Sequence, residues 1–117
     1  MITAHFSKKE MECRCGCGQL IINVKQMAGL EYMRARINRA LNVTSGNRCR
    51  AYNEICGGVE NSYHMQGIAT DVWAKDTDLD TLARAAEQYG FTGIGIYRDQ
   101  GFVHVDTRLG PLVKWEE

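Results

Sequence analysis

Apolar positions change period several times along the chain. Met27, Leu30, Met33, Ile37 and Leu41 recur at helical spacing behind Asn23 and Gln26, a capping signal. The spacing predicts a helix over 24–41, with Arg34, Arg36 and Arg39 largely off its apolar stripe. A shorter helix start is read at Phe6 to Met11. There Ser7 and Glu10 have capping-box spacing, and Phe6 and Met11 can form a hydrophobic staple. Leu79, Leu82, Ala83, Ala86 and Tyr89 mark a further helix over 77–89, stopped by Gly90.

Strands are predicted where the pattern shortens. Asn42 to Gly46 reads as a short strand entering a turn, and 50–62, with Gly57-Gly58, as a surface loop. Residues 68–74 read as a strand. Thr92 to Tyr97 and Phe102 to Arg108 read as a hairpin across Arg98-Asp99-Gln100-Gly101. The order is helix, strand, strand, helix, hairpin. This predicts one α+β domain over 1–117, with a small, mostly antiparallel sheet and packed helices.

Composition narrows the function. Of 117 residues, 44% are hydrophobic and 24% charged, an ordinary globular balance able to bury one core. Lys plus Arg and Asp plus Glu are 14 each, so no net charge draws the chain to nucleic acid or an anionic membrane. No apolar run is long enough to span a bilayer. MITAHFSKKE lacks the apolar stretch of a standard signal peptide, so an extracytoplasmic role implies another export route or a missing leader. The expected oligomeric state is a monomer.

Five cysteines are many for this length. Cys13, Cys15 and Cys17 form C-x-C-x-C, with Cys49 and Cys56 apart. Disulfides, free thiols and a structural metal site all fit this set. Four thiolates can close a tetrahedral zinc site, although C-x-C is tighter than the usual C-x-x-C knuckle.

Three histidines are present, and His5, beside a capping box, reads as solvated. His64 precedes the strand that contains Asp71. Asp71 shares a strand face with Ala69 and Trp73, where a bare carboxylate is costly to bury. An arginine, backbone donors or a metal must compensate it. In Phe-Val-His-Val-Asp, His104 and Asp106 share a face with Phe102. Two imidazoles and a carboxylate, His64, His104 and Asp71, make a three-ligand zinc set with a fourth position for water. Bound zinc lowers that water's pKa toward about 7 and polarises a carbonyl. Arg48, in a turn after a strand, reads either as a solvated cation or as a clamp on a substrate carboxylate or carbonyl oxygen.

Together these pieces resemble the zinc D-Ala-D-Ala peptidase family of bacterial D,D-carboxypeptidases, VanX and VanY enzymes, and phage L-alanyl-D-glutamate endolysins. The pattern S-x-H-x-x-G-x-A-x-D stands as Ser62 to Asp71 and is followed by strand residue His104; S-G-x-R stands as Ser45 to Arg48. The opening F-S-x-x-E with C-x-C-G-C-G, and the G-I-G-I-Y and H-V-D hairpin, resemble a compact subgroup of phage and bacterial genomes.

The resemblance implies a hedgehog-like zinc fold and one catalytic zinc on His64, Asp71 and His104. It implies that Arg48 contacts substrate and stabilises the oxyanion, and that Ser62 holds substrate. Peptidoglycan peptides would be the substrate, and a phage lysis or wall-trimming enzyme the setting. Many members place a general-base carboxylate three residues before the last histidine, where this chain has Gly101. Asp106 and Asp99 are the replacements considered, with Asp106 preferred; Asp106 reads equally well as a group orienting a histidine ligand. The hedgehog signalling domain resembles this fold and keeps the zinc, so a zinc-stabilised binding module without catalysis is the alternative, and a cysteine-based metal or redox module a third.

Overall fold

The computed structural model describes residues 2–59 and 62–117. The elements run α1 (Lys8–Met11), α2 (Val24–Ile37), β1 (Asn42–Ser45), α3 (Arg50–Ile55), a 3-10 turn (Tyr63–Gln66), β2 (Ala69–Trp73), α4 (Leu79–Tyr89), β3 (Gly93–Tyr97), β4 (Phe102–Asp106) and β5 (Val113–Glu116). The five strands form one sheet in the order β1-β2-β4-β3-β5. Every pairing is antiparallel except β3 with β5, so the expected α+β, mostly antiparallel architecture is the one found. Among the described residues, no helix is long and apolar enough to cross a membrane.

The capping expectations match the structure. The Ser7 hydroxyl accepts from Glu10 N and the Glu10 carboxylate accepts from Ser7 N, a closed capping box with Phe6 and Met11 both buried. Asn23 caps α2 by accepting from Gln26 N. Gln26 does not reach back. Its side chain is fully buried and its amide donates to Thr70 Oγ1 and Val105 O, both at 3.0 Å, pinning α2 to β2 and β4.

Three expectations are corrected. Helix α2 ends at Ile37 rather than 41, because Asn38 takes the left-handed conformation at φ 55° and caps it. Leu41 still joins the core, from the loop. The loop expected over 50–62 contains α3, whose six residues are too few to show an apolar period; residues 60–61 lie outside those described. The tail adds an unexpected strand, β5, held along β3 and tied to α4 by Arg98, which pairs with Asp80 at 2.8 Å and Glu116 at 2.9 Å.

Alternation sorts the sheet into two faces. Val72, Ile94, Val103 and Val105 point to the core formed with Met27, Leu30 and Met33 of α2 and Leu82, Ala83 and Ala86 of α4. Asp71, His104 and Asp106 therefore fall on the opposite face. Across the β2–β4 pair, Asp71 sits directly opposite His104 and Ala69 opposite Asp106. A register irregularity between Val43 and Ser45 brings Ser45 opposite Asp71 and turns the following Gly46–Arg48 segment toward the same face.

Candidate metal centre

The motif around His64 folds as a capped turn. The Ser62 hydroxyl accepts from His64 N at 3.2 Å, and Gly67 ends the turn at φ 74°. A side chain at Gly67 would be strained by that φ and would meet Ile21 O at 2.5 Å, so the chain must be glycine to enter β2 here. The His64 ring, 4% exposed, donates from Nδ1 to Gly46 O at 2.9 Å, which turns Nε2 toward Asp71.

Three ligand atoms converge. His64 Nε2 lies 3.2 Å and His104 Nδ1 3.0 Å from Asp71 Oδ1, and all three lie within 4.8 Å of one another. A tetrahedral zinc with bonds of about 2.0–2.1 Å has ligand–ligand edges of about 3.3 Å, close to the two edges that Asp71 makes here. The other Asp71 oxygen accepts from Arg48 Nη2 at 3.4 Å. Burial alone would raise the Asp71 pKa, but hydrogen bonds from His104 and His64 hold it at about 2. The Asp71 carboxylate is thus ionised and ready to ligate.

His104 is fixed from behind. Its Nε2 donates to Asp106 Oδ2 at 2.8 Å. Asp106 is completely buried, and Arg108 grips both its oxygens, Nε to Oδ1 at 2.9 Å and Nη2 to Oδ2 at 2.7 Å. Burial opposes ionisation of Asp106, yet Arg108 and His104 hold its pKa well below the ordinary carboxylate range. For His104, burial works against the charged form, and Asp106 and Asp71 together raise its pKa above the usual imidazole value. Arg108 also lies over Tyr63, 4.6 Å from the ring centroid, and over Trp115 at 5.2 Å.

Two glycines on β3 make room for this. Gly93 faces Asp106, and a Cβ there would collide with the Asp106 carboxylate; Gly95 faces His104, and a Cβ there would strike the Trp115 indole. Gly93 and Gly95 thus leave room for the groups behind His104, while Ile94 and Ile96 present the apolar face to the core.

The triad opens on a cleft of about 840 Å³, lined also by Arg48, Ser62, Tyr97, Arg108, Trp115 and Glu117. Arg48 is not a solvated cation. Besides Asp71 it donates to Ser45 Oγ at 3.0 Å and Asn53 Oδ1 at 3.2 Å. Asp99 lines a neighbouring hollow with Tyr97, Gln100 and Glu117, not the cleft of the triad. Among the described residues, Asp71 and Glu117 are the carboxylates lining that cleft. Burial and the negative charge of Glu117 and Asp71 push the Tyr97 phenol up, against the Trp115 indole that donates to it at 3.0 Å.

Arg108, Trp115 and Glu117 are the functional candidates that sequence reading missed. Strand alternation from His104 through Asp106 points to Arg108. Only the placement of β5 reveals the other two.

The Peptidase M15 family model matches residues 4–106. Relatives include the probable peptidoglycan L,D-endopeptidase MepK of Haemophilus influenzae, 30% identical over 103 residues, covering 84% of this chain and 51% of that protein. The peptidoglycan L,D-endopeptidase MepK of Escherichia coli K12 is 33% identical over 73 residues, covering 62% of this chain and 38% of its own. The zinc D-Ala-D-Ala carboxypeptidase of Streptomyces albus G is 39% identical over 57 residues, 49% of this chain and 22% of that one. The chain spans about half the length of these curated relatives, or less. A match over nearly the whole fold, on a chain that gathers His64, Asp71 and His104 in one cleft, assigns this protein to the Peptidase M15 family.

Proposed function

We propose that this protein hydrolyses peptide bonds in the stem peptides of peptidoglycan. The observation that carries the reading is the convergence of His64 Nε2, Asp71 Oδ1 and His104 Nδ1 at the floor of an open cleft, with each imidazole pinned through its other nitrogen. His64, Asp71 and His104 would hold one zinc ion, which when bound acidifies water and polarises a carbonyl. The longer match to the L,D-endopeptidases, 84% and 62% of the chain against 49% for the D,D-carboxypeptidase, favours cleavage of the endopeptidase type.

The chain's own groups divide the remaining work. Arg48 faces the cleft with its guanidinium steadied by Ser45 and Asn53, ready to meet a substrate carboxylate or the oxyanion that develops on the scissile carbonyl. Ser62 sits at the cleft wall, its hydroxyl shared with His64 N, within the surface that would hold the peptide.

Asp106 has both oxygens engaged and no exposure, which favours its alternative role, orienting His104. We assign the proton-accepting role to Glu117, the cleft's other carboxylate beside Asp71. It would take a proton from the attacking water at its carboxylate and return one to the leaving amine.

The test is incubation of zinc-loaded protein with purified peptidoglycan, with mass spectrometry of the released fragments. Wild type should release stem-peptide fragments, His64→Ala none, and Glu117→Gln roughly 10²–10⁴-fold less while keeping its zinc. Zinc bound at the triad with no fragment released would instead support the zinc-stabilised binding module. Equal release by wild type and His64→Ala would remove the metallopeptidase reading.

A further inference from the structure

A second cluster of metal-binding atoms lies outside the cleft. Cys13, Cys15, Cys17 and Cys49 bring their sulfurs within 4.8 Å of one another, and no disulfide joins them. Cys13 Sγ and Cys15 Sγ are 3.5 Å apart, and Cys15 Sγ and Cys49 Sγ 3.7 Å. A tetrahedral zinc with Zn–S bonds of about 2.3 Å has sulfur–sulfur edges of about 3.8 Å. The cluster therefore already has close to the spacing of a tetrathiolate site.

Backbone donors seat three of these sulfurs. Three backbone amides point at these sulfurs: Cys49 N at Cys13 Sγ (3.3 Å), Gln19 N at Cys17 Sγ (3.4 Å) and Tyr52 N at Cys49 Sγ (3.4 Å). Such donors fix the direction in which each sulfur presents its lone pairs, as outer-shell partners of a metal ligand do. Gly16 and Gly18 adopt φ 88° and 83°, which lets the chain fold back on itself between and after the closely spaced cysteines. The exposed Cys56 takes no part in the cluster.

We propose that Cys13, Cys15, Cys17 and Cys49 form a structural zinc site, separate from the His64 centre. Binding would release the thiol protons and leave no position for substrate or water. Its position defines its job. Cys49 directly follows Arg48 and caps α3. The loop bearing the other three cysteines is laced to the same segment, because Gln19 donates to Asn47 Oδ1 and Arg48 O, each at 3.1 Å. Asn47 in turn donates to His64 O at 2.9 Å. The ion would staple the N-terminal loop under the segment that aims Arg48 and braces the His64 turn. A four-residue α1 and a six-residue α3 cannot hold that geometry by helix formation alone.

The proposal does not depend on the peptidase reading and is tested without an activity assay. The protein is purified under reducing conditions, and metal content is measured for wild type, His64→Ala/His104→Ala and Cys15→Ser/Cys17→Ser. The histidine variant should retain one zinc per chain. After cobalt exchange it should show the intense near-ultraviolet thiolate-to-cobalt charge-transfer band. The cysteine variant should lack that band and lose one zinc relative to wild type. Should the cysteine variant fail to fold, the histidine variant alone decides. A histidine variant free of zinc, or cobalt-loaded without the thiolate band, overturns the proposal even if wild type cleaves peptidoglycan.

Discussion

Asp106 accepts a hydrogen bond from His104 Nε2 at 2.8 Å while lying wholly out of solvent, so its carboxylate points at the histidine and not at the cleft. Groups of this kind set the tautomer and angle of a metal ligand, and their loss commonly costs about 10–100-fold in metal affinity. Asp106→Asn should therefore weaken zinc binding by about that factor in a chelator competition, with cleavage recovering as zinc is raised. A general-base role would give the opposite split: unchanged affinity and a turnover that added zinc cannot restore.

Gly93 tests the same arrangement from the neighbouring strand. Its missing side chain leaves the space that the Asp106 carboxylate occupies. Gly93→Ala should push that carboxylate off His104 and overpack the site, destabilising the fold by about 1–3 kcal/mol in urea titration. It should also lower zinc affinity in the same direction as Asp106→Asn. Unaltered affinity would show that Asp106 tolerates displacement.

These two positions also show what the sequence could and could not convey. Alternation in Phe-Val-His-Val-Asp placed His104 and Asp106 on one face, and the ten-position motif from Ser62 to Asp71 placed the other two candidate ligands. Both are local patterns. Which nitrogen of His104 meets Asp71 and which meets Asp106 depends on the ring's angle, which no spacing encodes. Helix α3 was unreadable because six residues hold too few turns for an apolar period. Strand β5 depends on a parallel partner well before it in sequence, and Trp115 and Glu117 reach the cleft only through that pairing.

Gln26 offers a test of the core rather than the site. Its amide fills the acceptor at Val105 O and bonds Thr70 Oγ1, although its own Oε1 has no partner. Gln26→Leu should leave both sheet groups without that donor and cost about 1–3 kcal/mol, read as a lowered urea midpoint with unchanged slope. A neutral or stabilising result would mean that the unpaired oxygen outweighs the two bonds.

Asp78 gives a pH dependence whose sign is fixed. Its carboxylate caps α4 by accepting from Thr81 N at 2.7 Å, and the Thr81 side chain and backbone amide together lower its pKa below the ordinary value. A group depressed in the folded state adds stability above its unfolded pKa of about 3.9, and the contribution disappears as pH falls through the lower folded value. Asp78→Asn keeps a capping oxygen without the titration. The variant should match wild type near neutrality and lose less stability between roughly pH 5 and pH 3, measured by urea midpoints along that range.

The direct pairing of Asp71 with His104 across β2 and β4 has a consequence for how the chain matures. A slip of one residue would turn every side chain of one strand to the other face, burying His104 among valines and exposing Val103 or Val105. Such a misaligned sheet has no triad, so an ion that binds the triad stabilises only the correctly aligned one. Metal loading would then act as a proofreader, drawing misregistered molecules back into the native population.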